Sequence, residues 1–461
     1  MKTYILSYLS LLLVCVRASA NPEALSTVHA RGPDGGIVST QPEPGVVSQS
    51  QAASQGSGRP EGLSSEDKAG RFGSGHHGAT LSHPPVCTDV LASVDDILCV
   101  YTYASFSDGR GISIFTTPAV HEHFSQLLER HYSSPDPDIN AGPSKWTSRF
   151  IRGKGIGVVA TTALAYGEKL SSFTPVLLVL LDEQSLTPLE REHYLRTAIL
   201  QLPAPTRSQF LALTRIYDDD RIEVQDIIKA NSFELQVGGI MHLAVFPEIS
   251  RLNHDCAPNA QYYMQPEALT HVLRATRDVR EGEELSISYI EPLGSARKRG
   301  YHLKAAFHFM CGCDRCSDPD ASDARMSKIH ALHDAFQDWS WTEDDVPEVI
   351  GDLSFSPPPP SKHYNHPITN AAEYVIQLHN EEGLEGFLDT PFGHAALAYA
   401  GLKQEKPAML YAKKALKALR LRFGPAGGAN AEVWEGILRD GIRKHWSWGK
   451  RLGGNEGHHE L

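Results

Sequence analysis

The sequence predicts a mainly β body of short strands, broken by a helical insert and followed by an all-α C-terminal region. Three observations carry this. Short runs rich in β-branched and aromatic residues recur from Leu98 to Ala275, and they do not alternate regularly with helices, which argues against a doubly wound sheet. Between Trp146 and Tyr289, helical spacing is confined to Pro188–Leu202 and Ser208–Tyr217. Beyond Cys316 the apolar residues recur at helical spacing, with alanines at 395, 398, 412 and 415 that let helices pack closely.

The elements follow in chain order. Met1–Ala20 has a basic start at Lys2, an apolar core over Tyr4–Val16 and an Ala18-Ser19-Ala20 cleavage sequence. These are the three parts of a secretory signal peptide, in order. Residues 21–84 are rich in Gly, Ser, Pro and Gln, with Phe72 the only aromatic. Such a segment buries too little apolar surface to offset chain ordering, so a disordered linker is expected. Residues 85–145 form an N-terminal αβ segment, with strands at Leu98–Tyr103 and Ile112–Phe115 around the turn Ser107–Gly111 and a helix over Pro118–Arg130. Ile156–Ala160, Val176–Leu181, Met241–Phe246 and Thr270–Ala275 read as strands. Residues 318–461 are the helical region, with helices at Arg325–Asp338, Asn370–Asn380, Phe392–Leu402 and Pro407–Phe423 and a stiff linker at Pro357–Pro360.

The charge balance is 43 basic against 55 acidic residues, a net charge of −12. That lacks the basic footprint of a nucleic-acid-coating protein and suits a basic peptide partner. No run of 18 or more apolar residues occurs, so no transmembrane helix is expected. Cleavage of the N-terminal segment implies an oxidising compartment, in which Cys87 and Cys99 form a disulfide or remain two separate thiols.

Four clusters carry chemistry. GKGIGVVAT (153–161) is a Gly-rich strand entry, without the Gly-Lys-[ST] spacing of a nucleotide P-loop. RLNHDCAPN (251–259) packs two Asn, one His and one Cys into nine residues, with Pro258 stiffening the backbone. GEELSISY (282–289) is a turn leading into an alternating strand that ends at Tyr289. CGCDRC (311–316) supplies three thiols at metal-ligand spacing, and tetrahedral Zn²⁺ needs a fourth ligand. His302, His308 and the distant Cys256 are the candidates.

In this order, together with Asn231-Ser232-Phe233, the clusters resemble a SET-domain lysine methyltransferase over Trp146–Ser317, closest to the SET and MYND type without the MYND finger and to secreted fungal SET-like proteins. The resemblance implies a SET fold at 146–290 with a pseudoknot, a helical insert at 186–229 and a post-SET zinc segment at 291–317. It implies S-adenosylmethionine bound by Lys154, Gly155, Ile156, Gly157, Asn231, Asn253, His254 and Phe309. It assigns catalysis to Tyr289, with Phe233 and Phe307 lining a lysine channel, and zinc to Cys256, Cys311, Cys313 and Cys316. Phe307 stands where related enzymes often carry Tyr, which removes one hydroxyl. The implied activity is S-adenosylmethionine-dependent protein-lysine N-methyltransfer to a histone tail or other basic protein, by a monomer that contacts neither nucleic acid nor membrane. The alternative is a catalytically silent SET-fold secreted binding protein. The expected location is the secretory pathway or outside the cell, with nucleus or cytoplasm as the alternative if the N-terminus is not used.

Overall fold

The computed structural model describes residues 79–181, 186–337, 366–428 and 430–450. The expected signal peptide, most of the linker and Pro357–Pro360 lie outside the described residues. Among the described residues, Ala79 and Leu81 lie against the core and the Ser82 N–H donates to the Thr102 carbonyl, so the last residues of the expected linker are packed.

Thirteen strands among the described residues form three sheets. The first holds β1 (Val86–Cys87), β2 (Cys99–Tyr103), β3 (Ile112–Thr116), β7 (Leu177–Leu180), β8 (Ser232–Val237) and β9 (Ile240–Val245), in the order β1-β2-β3-β7-β9-β8. β2 and β3 pair antiparallel, with Tyr103 opposite Ile112, so the turn between them falls where the glycines predicted it. Cys87 and Cys99 are opposite each other on β1 and β2 and are joined by a disulfide. The second sheet orders β10 (Asn253–His254), β13 (Glu284–Ile287), β5 (Gly155–Ala160) and β4 (Trp146–Ile151). The third is β11 (Ala260–Gln265), β12 (Thr270–Ala275) and β6 (Lys169–Phe173). Two apolar clusters fill the β body, one spanning Cys99 to Ile287 and one beneath the helical insert.

Helices start where capping chemistry permits. Helix α1 (Pro118–Ser133) opens with Pro118 in its first turn, after Thr117, whose hydroxyl accepts from the Val120 N–H. In the insert, α2 (Pro188–Leu200) begins with a reciprocal capping box between Thr187 and Glu190. The expected helix at 208–217 lies earlier: α3 spans Ala204–Leu211, opened by Pro203 and Pro205. The reason is Asp226, a buried carboxylate on α4 (Glu223–Asn231). It accepts the N–H groups of Ile216, Tyr217 and Asp218, so these amides turn away from a helical ladder. Glu192 likewise accepts the N–H groups of Val224 and Gln225 at the start of α4.

Beyond α5 (Ala296–Phe307), the C-terminal region holds α6 (Pro319–Gln337), α7 (Pro367–Glu381), α8 (Asp389–Gly401), α9 (Glu405–Phe423) and α10 (Ala431–Asp440). Ala395, Ala398, Ala412 and Ala415 are fully buried, as the close-packing argument requires. The short α10 escaped the periodicity reading.

His333, His379 and His394 meet between α6, α7 and α8. His333 Nδ1 lies 2.9 Å from His394 Nε2, and His333 packs edge-on against His379 at 5.4 Å. Burial pushes His333 down to about 3, helped by the nearby His394, and pushes His379 and His394 down to about 4. An unfolded histidine titrates near ~6.5. The unfolded chain therefore takes up protons that the folded region refuses, and stability is full above about pH 7 and falls toward pH 4. The thermal midpoint should be lower at pH 5 than at pH 7.5, by about 1–2 kcal/mol of stability per histidine. His394→Gln should lose part of that pH dependence. A midpoint equal at both pH values would contradict this account.

Candidate active site

The site forms where the second sheet meets α4, α5 and the cysteine segment. β10 lies parallel beside β13, with Asn253 opposite Ser286 and His254 opposite Ile287. Two motifs far apart in sequence thus lie side by side. Asn259 fastens them: its Nδ2 donates to the Glu284 carbonyl and its Oδ1 accepts from the Ser286 N–H. Asn253 Nδ2 donates to Glu284 Oε1, while Lys154 Nζ reaches Glu284 Oε2. One carboxylate therefore ties three of the four clusters together. Gly157 is required here because a Cβ would fall 2.6 Å from Asn253 Nδ2.

Above this frame lies a cavity of about 720 Å³, within the usual range of small-molecule sites. Lys154, Ile156, Asn231, Asn253, His254 and Phe309 all line it. Gly155 and Gly157 are not among its lining residues: both belong to β5, Gly155 exposed and Gly157 buried. Arg152, Arg215 and Arg251 also line it, Arg215 already paired with Asp218 and Asp220, and Asp255 brings a carboxyl group to the same lining. Amides, cations and aromatic faces together suit a ligand with a planar base at one end and an anionic group at the other.

His254 is neutral because burial pushes it down to about 4. Its Nδ1 accepts the Tyr289 N–H at 3.1 Å, and its Nε2 faces Cys256 Sγ at 3.3 Å. A single histidine thus joins the tyrosine to the cysteine cluster. The Tyr289 hydroxyl donates to the Leu252 carbonyl at 2.6 Å. Burial raises its pKa well above that of a free phenol, so it stays protonated.

A second, narrower cavity of about 100 Å³ shares Tyr289, Phe307 and Asn231 with the first. Phe233 and Tyr262 line it, and their rings meet edge to face at 5.1 Å. Tyr262 was not anticipated, since nothing local distinguishes it from its neighbour Tyr263 on β11. Behind it, His271 is fully buried, stacks on Tyr262 at 4.5 Å and is pushed down to about 3 by burial. Tyr262 is therefore backed by a neutral ring rather than by a charge.

Cys256, Cys311, Cys313 and Cys316 converge, with their sulfurs all within 4.8 Å of one another. Cys256 Sγ lies 3.6 Å from Cys316 Sγ and 4.0 Å from Cys311 Sγ. Sulfurs placed tetrahedrally at ~2.3 Å from a zinc would be about 3.8 Å apart, so the donor set and its spacing fit that metal. His308 instead lines the large cavity and packs edge-on against Tyr217.

Comparison with known proteins agrees with this architecture. The SET domain family matches residues 155–290. This chain carries a SET domain. It is 31% identical over 142 residues to the SET domain-containing protein SmydA-8 of Drosophila melanogaster, covering 30% of each chain. It is 37% identical over 112 residues to the human histone-lysine N-methyltransferase SMYD3, covering 23% of this chain and 25% of that one. It is 24% identical over 284 residues to the histone-lysine N-methyltransferase set5 of Schizosaccharomyces pombe, covering 59% of this chain and 77% of that one. The chain thus spans under a third of the first two relatives and most of the third. The matched span supplies part of the lining of both cavities, Lys154, Phe307 and Phe309 come from just outside it, and the helical region follows in sequence.

Proposed function

We propose that this SET-domain protein is an S-adenosylmethionine-dependent protein-lysine N-methyltransferase acting on a histone tail or other basic protein. The observation that carries the reading is the meeting of a large polar cavity and a narrow aromatic one at Tyr289 and Phe307. Bound S-adenosylmethionine supplies an electrophilic methyl group. The chain's own residues do the rest. Asn231, Asn253, His254 and Phe309 bind the cofactor's polar and planar parts in the large cavity. Phe233, Tyr262 and Phe307 surround the lysine stem and exclude water, which favours the neutral amine. The Tyr289 oxygen, its own proton engaged by the Leu252 carbonyl, accepts a hydrogen bond from the amine and aims it across the junction. Cys256, Cys311, Cys313 and Cys316 hold zinc and so keep the Phe309 segment over the cofactor.

The Cys87–Cys99 disulfide supports a secretory route for the chain, with a nuclear or cytoplasmic location as the alternative. N-terminal sequencing of the mature protein decides between them. The activity is tested by incubating the full chain with labelled S-adenosylmethionine and a panel of histones and secreted proteins. Label on lysine is expected. Cofactor binding without label on any substrate would overturn the enzyme reading in favour of a silent binding protein.

A further inference from the structure

The described C-terminal helical region reaches into the four-thiolate centre through one buried carboxylate. Glu382 follows α7 and its side chain is fully buried. Its Oε2 accepts from Arg315 Nε at 2.5 Å and from the Ser322 hydroxyl at 2.7 Å, and its Oε1 accepts from Arg325 Nε at 2.5 Å. Arg315 stands between Cys313 and Cys316. Its Nη1 donates to the backbone carbonyls of Cys256 at 2.6 Å and Pro292 at 2.9 Å. Its Nη2 is buried without a hydrogen-bond partner. The next residue tightens the same junction: a Cβ at Gly383 would lie 2.8 Å from the Ala257 Cβ, so the end of α7 is pressed onto the Cys256 turn.

These contacts join the two segments that bring the thiols together. Cys256 comes from the β10–β11 connection, and the other three thiols come from a segment more than fifty residues later. Arg315 bridges them, and Glu382 fixes Arg315. We propose that Glu382 is a positioning residue for the four-thiolate centre, acting through Arg315. The role rests on the zinc reading of that centre. A point charge in place of the guanidinium could not serve Glu382 and the Cys256 carbonyl together, because only the planar fork presents several donors in fixed directions. Outer partners of metal ligands set their orientation, and losing one typically costs ~10–100-fold in metal affinity.

The test uses the full-length zinc-loaded protein and follows zinc release to a chromophoric chelator. Glu382→Gln should release zinc at least about tenfold faster than the parent. Glu435→Gln, at an exposed pair with Arg420, should release it at the parent rate. Glu382→Gln leaves Arg315 buried beside a neutral partner and risks misfolding. A second variant therefore combines Arg315→Met and Arg325→Met with Glu382→Leu, since both arginines bond this carboxylate. Apolar replacement of a whole buried charged group commonly restores stability, but leaves the Cys256 carbonyl without its donor. A merely structural group predicts parent-rate release from this triple variant, and the positioning role predicts fast release. Parent-rate release from either variant overturns the role alone. A parent protein that binds no zinc overturns the centre and the role together.

Discussion

Tyr289→Phe is expected to lower methyl transfer by about 10²–10³-fold while cofactor affinity stays within about twofold of the parent. The magnitude is that of removing one preorganised hydrogen-bonding group from a transition state. The separation of the two effects follows from the contacts. The ring, not the hydroxyl, packs at 5.0 Å from Phe307 and 5.4 Å from His254, and the backbone N–H, not the side chain, bonds His254. All of these survive in the variant. What is lost is an oxygen whose proton is committed to the Leu252 carbonyl and whose lone pairs alone face a ligand. Because burial raises the Tyr289 pKa above the free phenol value, the hydroxyl orients the amine rather than deprotonating it. The rate should therefore rise with pH until the substrate lysine is neutral, without an inflection from Tyr289. The check is kcat and equilibrium cofactor binding measured on the same preparation. Turnover within threefold of the parent would remove Tyr289 from its role.

How much of this site could be read beforehand depended on where its constraints lie. The cysteine cluster was legible because three thiols at metal spacing demand a fourth, and the SET order pointed to Cys256. The pairing of RLNHDCAPN with GEELSISY was legible for the same reason, although the rung made by Asn259 is a structural finding. β2, β3, β5, β7, β9 and β12 announce themselves through runs of β-branched and other apolar residues, whereas β4, β6, β8 and β11, more polar along their length, do not. Contacts made across the fold leave no such trace. Asp226 ends the predicted 208–217 helix early by taking its amides from a neighbouring helix. Tyr262 enters the narrow cavity because β11 presents it there, and Glu382 looks like any helix-end glutamate until Arg315 is seen beside it. Gly155 and Gly157 illustrate the converse. A Gly-rich strand suggests close approach of a ligand, yet at Gly157 the close neighbour is the Asn253 side chain.

Cys313→Ser should lose zinc and cofactor binding together while the β body stays folded. The four sulfurs draw together two stretches of chain separated by more than fifty residues, and Arg315, bonded to the Cys256 carbonyl, is a further tie between them. His308, between the two phenylalanines, adopts a left-handed backbone with φ of 59°, which non-glycine residues occupy only when neighbours hold them there. Phe307 and Phe309 both line the large cavity on either side of that turn. A serine hydroxyl is a poor zinc ligand beside a thiolate, and a structural zinc supplies folding energy directly to the segment it ties. Zinc per chain should fall from one to near zero after dialysis, and cofactor affinity should drop at least about tenfold as Phe309 loses its anchor. The two large cores are apolar and do not depend on the thiols, so far-ultraviolet circular dichroism should change little. Metal analysis, calorimetric cofactor titration and circular dichroism on one sample separate the outcomes. Parent-like cofactor binding without zinc would mean that the cysteine segment does not shape the cavity. Global unfolding would mean that the thiolate centre stabilises the whole fold rather than the site.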